Sequence, residues 1–239
     1  GTLDCGRVPS ALAPVYETVR RVRAELPDDV TLIGFAGAPW TVATYMVEGG
    51  STKDFSAVKS WAFADPDGFQ RLIDLITKAT IQHLSDQVDA GAEALQLFDS
   101  WAGVLPESPY RRWVGEPTRE IVRALGERHP GVPIIGFPRG SGLLYEVFAA
   151  EAPDVAIGLD SAVPLEWAKA RLQPGHTIQG NLDSSMLLAG GGAMIAEAEH
   201  IMRTLGEGPF VFNLGHGVIP KTPPEHVEAL AALIRDWRR

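Results

Sequence analysis

The sequence is poor in cysteine, because Cys5 is the only one among 239 residues. A single cysteine forms no disulfide within the chain, which favours a reducing compartment such as the cytoplasm. Long apolar runs are missing as well, and none approaches the roughly 18 residues that a membrane-spanning helix needs. No basic segment followed by an apolar one resembles a secretion signal. The sequence therefore predicts a cytoplasmic protein without a membrane segment.

Positive charge is also in short supply. The chain has 21 Lys and Arg against 30 Asp and Glu, which gives a formal net charge of −9 at pH 7. Nucleic-acid binding requires a basic face that neutralises phosphates, so this balance argues against it. A small anionic ligand held by a few local cations stays compatible with the composition.

Metal-ligand clusters and nucleotide-binding glycine motifs are missing too. The glycine-containing segment 49–53 lacks the spacing of a P-loop, and no Gly-x-Gly-x-x-Gly follows a strand-like run. The six histidines are scattered, and only His216 directly follows such a run. Glu197 and His200 have the i, i+3 spacing of carboxylate-bridged metal sites, but the second pair that such sites need does not occur. The sequence predicts no metal and no cofactor.

Six short apolar runs, each ending in a polar residue beside glycine or proline, are what the sequence does contain. They show little polar–apolar alternation, which is typical of strands buried on both faces of a parallel sheet. The runs cover 32–37, 94–100, 133–139, 155–160, 177–183 and 210–217. Helical spacing of apolar residues predicts helices over 9–26, 55–88 with an interruption at 65–68, 109–128, 143–151, 165–172, 193–205 and 224–237.

This alternation of strands and helices predicts the α/β class and a (β/α)8 TIM-type barrel. A closed barrel has eight strands, whereas only six runs occur and a helix without a strand of its own precedes them. We therefore expect an incomplete barrel in which the first two strand–helix units are absent. No linker-like segment divides the chain, so residues 1–239 are expected to form one domain.

Polar residues at the carboxyl ends of parallel strands build the site of a barrel enzyme. His216, between two glycines, can donate to a carboxylate or transfer a proton; the alternative is that it only shapes a sharp turn. Ser100 can donate to an anion and Asp99 can pair with a cation, although both residue types also cap helices. Arg139 suits a planar carboxylate unless a neighbouring loop carboxylate already pairs with it. Tyr45 is either a site residue or a core aromatic.

Several motifs resemble those of the uroporphyrinogen decarboxylase family, in the same order. They are Gly-Phe-Ala-Gly-Ala-Pro-Trp-Thr at 34–41, Thr-Tyr-Met-Val-Glu-Gly-Gly at 44–50, Leu-Gln-Leu-Phe-Asp-Ser-Trp-Ala-Gly at 95–103, Gln-Gly-Asn-Leu-Asp at 179–183 and Asn-Leu-Gly-His-Gly at 213–217. The resemblance implies a (β/α)8 barrel that pairs as a homodimer. It also implies a carboxy-lyase that removes carbon dioxide, without a cofactor, from the four acetate side chains of uroporphyrinogen III, giving coproporphyrinogen III in haem biosynthesis.

The resemblance also implies roles for particular residues. Tyr45, Ser100 and His216 match positions that contact the tetrapyrrole substrate, and Phe98 matches an aromatic residue that lines the cleft. Arg139 joins this substrate-binding set because of its place at a strand end. The family's arginine-rich motif and its pyrrole-binding aspartate have no counterpart in residues 1–239, so no catalytic group is assigned.

Two other functions stay open at this point. One is a corrinoid-linked zinc methyltransferase on the same type of barrel, which the single cysteine disfavours because such enzymes bind zinc through His and Cys. The other is a non-catalytic barrel fragment that only dimerises. A requirement for zinc or a corrinoid distinguishes the first from a decarboxylase. For the second, an in-frame upstream sequence that encodes the arginine motif and the aspartate would favour the decarboxylase.

Overall fold

The computed structural model describes residues 3–50 and 53–237. They divide into two compact units, Gly1–Val155 and Ala156–Arg239. Within each unit the strands are parallel to their neighbours, and helices separate them along the chain. The α/β class is therefore confirmed, whereas the expectation of one domain stays a prediction. No helix in the described part of the chain is long and apolar enough to cross a membrane.

The first unit contains three strands and eight α-helices among the described residues. In chain order its elements are α1 (Val8–Ala11), α2 (Ala13–Glu25), β1 (Ile33–Gly37), α3 (Pro39–Glu48), α4 (Ser56–Ala64), α5 (Pro66–Asp89), β2 (Ala94–Asp99), α6 (Glu107–Tyr110), α7 (Glu116–Arg128), β3 (Ile134–Pro138) and α8 (Leu144–Glu151). A π-helical turn, Arg111–Gly115, joins α6 to α7. The strand order is β1-β2-β3, with Gly37 opposite Phe98 and Phe98 opposite Phe137.

The second unit repeats the pattern with three further strands. Its elements are β4 (Ala156–Gly158), α9 (Leu165–Arg171), β5 (Ile178–Leu182), α10 (Ser184–Ala189), α11 (Gly191–Leu205), β6 (Phe210–Leu214) and α12 (Pro224–Asp236). Strand β5 lies between β4 and β6, with Gly158 opposite Gln179 and Asn181 opposite Asn213. All six predicted strands are therefore present.

Two features of the strands and helices differ from the sequence-based expectation. Strands β2, β3 and β5 are almost wholly buried, but β1 and β6 each expose one face, as Phe35 at 61% and Val211 at 46% show. Helices α3 and α10 were not predicted. Helix α3 is rich in β-branched residues, whose weak helix propensity is overcome by burial on both sides of its first turn.

The core of the first unit is centred on aromatic residues from α3, α5 and the π-helical turn. Trp40 is completely buried and stacks on Trp113, with ring centroids 6.0 Å apart and an interplanar angle of 8°. Phe69 packs edge-on against both rings, at 5.8 Å from Trp40 and 5.0 Å from Trp113. This cluster holds α3 against the longer α5 and so positions the residues that follow β1.

Candidate functional site

Helix α3 begins directly after β1, and its first turn is tied to the end of β2. Ala38 N–H donates to the Phe98 carbonyl at 2.8 Å, and Pro39 occupies the first turn, where a missing N–H costs nothing. The buried Trp40 donates its Nε1–H to the Trp101 carbonyl at 2.9 Å. The strand end that carries Ser100 and the helix that carries Tyr45 are therefore joined by direct hydrogen bonds.

Tyr45 lies one turn further along α3 and does not belong to the core. Its side chain is 44% exposed, and its ring packs edge-on against Trp101 with centroids 6.2 Å apart. The core-aromatic alternative is therefore wrong. A tyrosine supported on one side by an aromatic ring and open on the other can present its hydroxyl to a ligand.

Phe98 lies near the carboxyl end of β2, and Ser100 directly follows the strand. Phe98 is half-buried and contacts Phe35 of β1 and Phe137 of β3 edge-on, at 6.0 and 5.9 Å between centroids. Three neighbouring strands thus each contribute one ring to an aromatic cluster, in which Phe35 is exposed, Phe98 half-buried and Phe137 buried. Ser100 is half-buried in the turn that follows. An apolar surface bordered by a hydroxyl suits a ring system that carries polar substituents.

Arg139 directly follows β3 and lies beside the same strand ends. Its main-chain N–H donates to the Asp99 carbonyl at 3.0 Å, and its own carbonyl accepts from Gly103 N–H at 3.1 Å. Its side chain is half-buried and makes no ion pair within residues 3–50 and 53–237. The alternative of a loop carboxylate pairing with Arg139 thus finds no partner in the described ranges. The guanidinium is available for an anionic ligand.

Four of the five predicted substrate-binding residues therefore lie in the first unit, at the carboxyl ends of β1, β2 and β3. They are Tyr45, Phe98, Ser100 and Arg139. Neighbouring parallel strands bring these ends to one edge of the sheet, as the sequence predicts. Their roles in binding stay predictions.

His216 belongs to the second unit and lies at the carboxyl end of β6, with its side chain exposed. Gly215 N–H donates to the Leu182 carbonyl at 2.8 Å, and the Ser184 hydroxyl donates to the His216 carbonyl at 3.1 Å. A methyl group on Gly215 would lie 2.4 Å from the main-chain nitrogen of Ser161. Close backbone packing therefore requires glycine at this position and fixes where the backbone of His216 lies.

Asp99 takes neither of the two roles that its sequence position suggests. It is 3% exposed, and its Oδ1 accepts a 2.5 Å hydrogen bond from the hydroxyl of Thr41 rather than pairing with a cation or capping the following helix. Burial raises the pKa of this carboxyl from 3.8 to about 7, although the bonds from Thr41 act in the opposite direction. Oδ2 has no hydrogen-bond partner among the described residues.

Trp101 is a residue of this region that sequence reasoning did not single out. It contacts Tyr45 and Phe55 and accepts the hydrogen bond from Trp40 through its carbonyl. The sequence signal that could have identified Trp101 is its position directly after Ser100. As for metals, the described ranges hold no group of three or more His, Cys, Asp or Glu side chains arranged to bind an ion.

Comparison with known proteins assigns the family. The model of the uroporphyrinogen decarboxylase family matches residues 4–237. A uroporphyrinogen decarboxylase of Rhodospirillum rubrum is 54% identical over 233 residues, which cover 98% of this chain and 67% of that protein. One from a Chelativorans species is 49% identical over 99% of this chain and 69% of its own length. The chain thus spans about two thirds of the length of these relatives.

Solved structures support the fold. A methyltransferase from Methanosarcina mazei superposes with a TM-score of 0.76 at 20% identity, over 93% of this chain and 63% of that one. A B12-independent methionine synthase from Shewanella sp. W3-18-1 superposes with a TM-score of 0.61 at 11% identity, over 92% of this chain and 66% of that one. At such low identity these likenesses concern the fold alone. Because the family match extends over nearly the whole chain, we conclude that the chain belongs to the uroporphyrinogen decarboxylase family.

Proposed function

We propose that the protein containing this chain is a carboxy-lyase that converts uroporphyrinogen III to coproporphyrinogen III in haem biosynthesis. The observation that carries this proposal is 46–54% identity to uroporphyrinogen decarboxylases over 97% or more of the chain. The match favours this function over a zinc methyltransferase or a non-catalytic fragment. We further propose that the protein is a cytoplasmic homodimer in which the whole chain forms part of one barrel domain.

The chemistry requires an electron sink at the substrate. When an acetate side chain loses carbon dioxide, the carbon–carbon bond breaks and its electron pair passes towards the pyrrole ring, and the carbon that remains then takes a proton to become a methyl group. Protonation of the ring before bond cleavage makes the ring electron-poor and stabilises the developing charge. No residue of this chain is assigned as the donor of that proton.

Charge repulsion opposes substrate binding, and Arg139 would reduce that repulsion locally. The substrate carries many carboxylates, whereas the chain has a net charge of −9, so long-range repulsion opposes association. A guanidinium without a partner in the described ranges reverses the field locally. Tyr45, Ser100 and His216 would add hydrogen bonds to the carboxylates, and the rings around Phe98 would contact the face of a pyrrole.

The proposal is tested with the intact gene product and reduced substrate under anaerobic conditions. We expect release of carbon dioxide and formation of coproporphyrinogen, measured by chromatography after oxidation, with full activity in the presence of a strong metal chelator. Dependence of turnover on zinc or a corrinoid would show that the methyltransferase function is the right one. Binding of substrate without turnover by the intact protein would support the non-catalytic alternative.

His216 is tested by replacement with Asn, which keeps a polar side chain but removes the imidazole. We expect kcat/KM for uroporphyrinogen to fall about tenfold, equivalent to about 1.4 kcal/mol of lost transition-state stabilisation. His200→Asn is the matched control, because His200 is an exposed histidine on α11. Equal kinetics for both variants would mean that His216 only shapes the turn after β6.

Arg139 is tested by separating its charge from its shape. Lys retains the positive charge but cannot form two parallel hydrogen bonds to a carboxylate, whereas Met retains only the length of the side chain. We expect KM to rise about threefold in Arg139→Lys and about tenfold in Arg139→Met, since a bond to a charged group is worth about 1.5–3 kcal/mol. The control is Arg123→Met, at an exposed arginine of α7. An unchanged KM in Arg139→Met would remove Arg139 from the site.

A further inference from the structure

A buried hydrogen-bonded unit joins the end of β2 to the first turn of α3. Thr41 Oγ1 donates to Asp99 Oδ1 at 2.5 Å and accepts from Trp101 N–H at 3.2 Å. A hydroxyl has one proton and two lone pairs, so Thr41 can donate to Asp99 Oδ1 while it accepts from Trp101 N–H. Asp99 and Thr41 are 3% and 4% exposed, so water does not compete for these bonds.

This unit lies between two of the predicted substrate contacts. Ser100 is the residue between Asp99 and Trp101, and Tyr45 lies one helical turn after Thr41 on α3. A shift of Thr41 relative to Asp99 would therefore move the Tyr45 hydroxyl relative to the Ser100 hydroxyl. A second hydrogen bond, from Trp40 Nε1–H to the Trp101 carbonyl, connects the same two segments. This bond alone would still allow α3 to rotate about it.

We propose that Asp99 is a positioning residue that, through Thr41, holds Tyr45 and Ser100 in register for substrate binding. The proposal rests on the function proposed above, because it concerns the same site. Asp99 itself points into the protein among buried groups and does not touch the substrate. Its effect should therefore appear mainly in KM, while kcat changes less.

The charge state of Asp99 makes this role dependent on pH. Burial raises the pKa of Asp99 to about 7, so the folded arrangement favours the protonated carboxyl. The groups that face it are Thr41 from α3 and, in its electrostatic neighbourhood, Tyr110 from α6, whose pKa is also raised by burial. Neither is a cation, and Oδ2 has no partner in the described part of the chain. Ionisation therefore places an uncompensated charge in this region.

The direction of the effect follows from linkage. The folded-state pKa lies above the value of 3.8 for an exposed aspartate, so the stabilising contribution is complete below 3.8 and is lost as the pH rises through about 7. Between those two values, opening of the unit to water becomes about tenfold more favourable with each pH unit, and above about 7, where the carboxyl is ionised in both states, it changes no further. Local opening and weaker substrate binding are therefore expected to increase as the pH rises towards about 7 and to level off above it.

The activity-independent test is amide hydrogen exchange of Trp101, whose N–H donates to Thr41, measured by NMR on the intact protein between about pH 5 and 9. Exchange catalysed by hydroxide is first order in hydroxide when the opening equilibrium does not change with pH. In the unmodified protein we expect the order to approach two below about pH 7, because opening also becomes easier as the pH rises, and to return to one above about pH 7, where Asp99 is ionised in both states. In Asp99→Asn, which keeps the acceptor but cannot ionise, we expect first order throughout. The same order in both proteins would overturn the proposal.

The kinetic test compares variants that keep or remove each bond. We expect Asp99→Ala and Thr41→Val to raise KM about tenfold. Asp99→Asn and Thr41→Ser should keep KM close to that of the unmodified protein, and Asp99→Asn should also remove the rise in KM that is expected as the pH approaches about 7. Asp28→Asn, at a fully exposed carboxyl, controls for net charge. A loss of kcat in Asp99→Asn as large as that in Asp99→Ala would assign Asp99 a chemical role and contradict positioning. Absence of turnover in the unmodified protein would instead refute the proposed function, and hydrogen exchange would still decide the role of Asp99.

Discussion

Replacement of Trp40 by Ala is expected to lower the free energy of unfolding by about 3–5 kcal/mol, the range measured for large aromatic residues in protein cores. Trp40 is completely buried between Trp113 and Phe69, so its removal leaves a cavity that the stacked rings cannot close without moving. The variant also loses the hydrogen bond to the Trp101 carbonyl. Urea unfolding followed by circular dichroism gives the change.

Trp40→Phe separates the two contributions. It retains an aromatic ring in contact with Trp113 but has no Nε1–H, so we expect a smaller loss of about 1–3 kcal/mol. Phe63→Ala is the surface control, because that ring is 52% exposed although it also contacts Trp113. If Trp40→Ala costs no more than Phe63→Ala, the aromatic cluster does not hold α3 in place.

Replacement of Gly103 by Ala is the second large effect that we expect. The added methyl group would lie 2.1 Å from the carbonyl oxygen and 2.3 Å from the carbonyl carbon of Gly140, both of which belong to the backbone. One of the two loops must move, and the bond from Gly103 N–H to the Arg139 carbonyl is then lost. We expect a loss of about 3 kcal/mol in unfolding free energy, at the upper end of the usual cost of overpacking.

Gly103→Ala also changes the site, since Gly140 follows Arg139 directly. We expect KM for uroporphyrinogen to rise because the guanidinium is displaced, and the effect should be much reduced in a protein that already carries Arg139→Met. Gly126→Ala is the matched control: nothing lies within 4 Å of the added methyl group, and the residue is exposed on α7. It should stabilise the protein by about 0.4–1 kcal/mol. Equal stability of the two alanine variants would contradict the close approach of the loops.

The strands could be predicted with good accuracy because their cause is local. Each is a short apolar run between turn-forming residues, and all six appear where the sequence indicates. Helix α3 escaped prediction because Thr41, Val42 and Thr44 are weak helix formers, and burial against α5 compensates for that weakness. The exposure of Phe35 in β1 was not predicted either, because an apolar run does not tell which face of the strand is covered after folding.

For the candidate site as well, the sequence predicted the positions of residues but not their contacts. Strand-end position is a property of the sequence pattern, and it placed Tyr45, Ser100 and Arg139 correctly at one edge of β1–β3, whereas Phe98 was expected there only from the resemblance to the family. The side chains that these residues contact could not be predicted. The sequence left open whether Arg139 pairs with a loop carboxylate and whether Tyr45 is buried, since both depend on side chains that meet only after folding.

The sequence by itself determined the α/β class, the order of six strand–helix repeats and the family, because apolar periodicity and motifs of contiguous residues are written along the chain. Only the tertiary structure decided that Asp99 meets Thr41, that Gly103 touches Gly140 and that Tyr45 stands open to solvent. Asp99 and Thr41 are 58 positions apart, and no local pattern distinguishes a strand-end aspartate that binds a cation from one that is buried against a threonine hydroxyl. Burial and distance between remote residues arise from packing, and packing sets both the pKa of that carboxyl and the role that we propose for it.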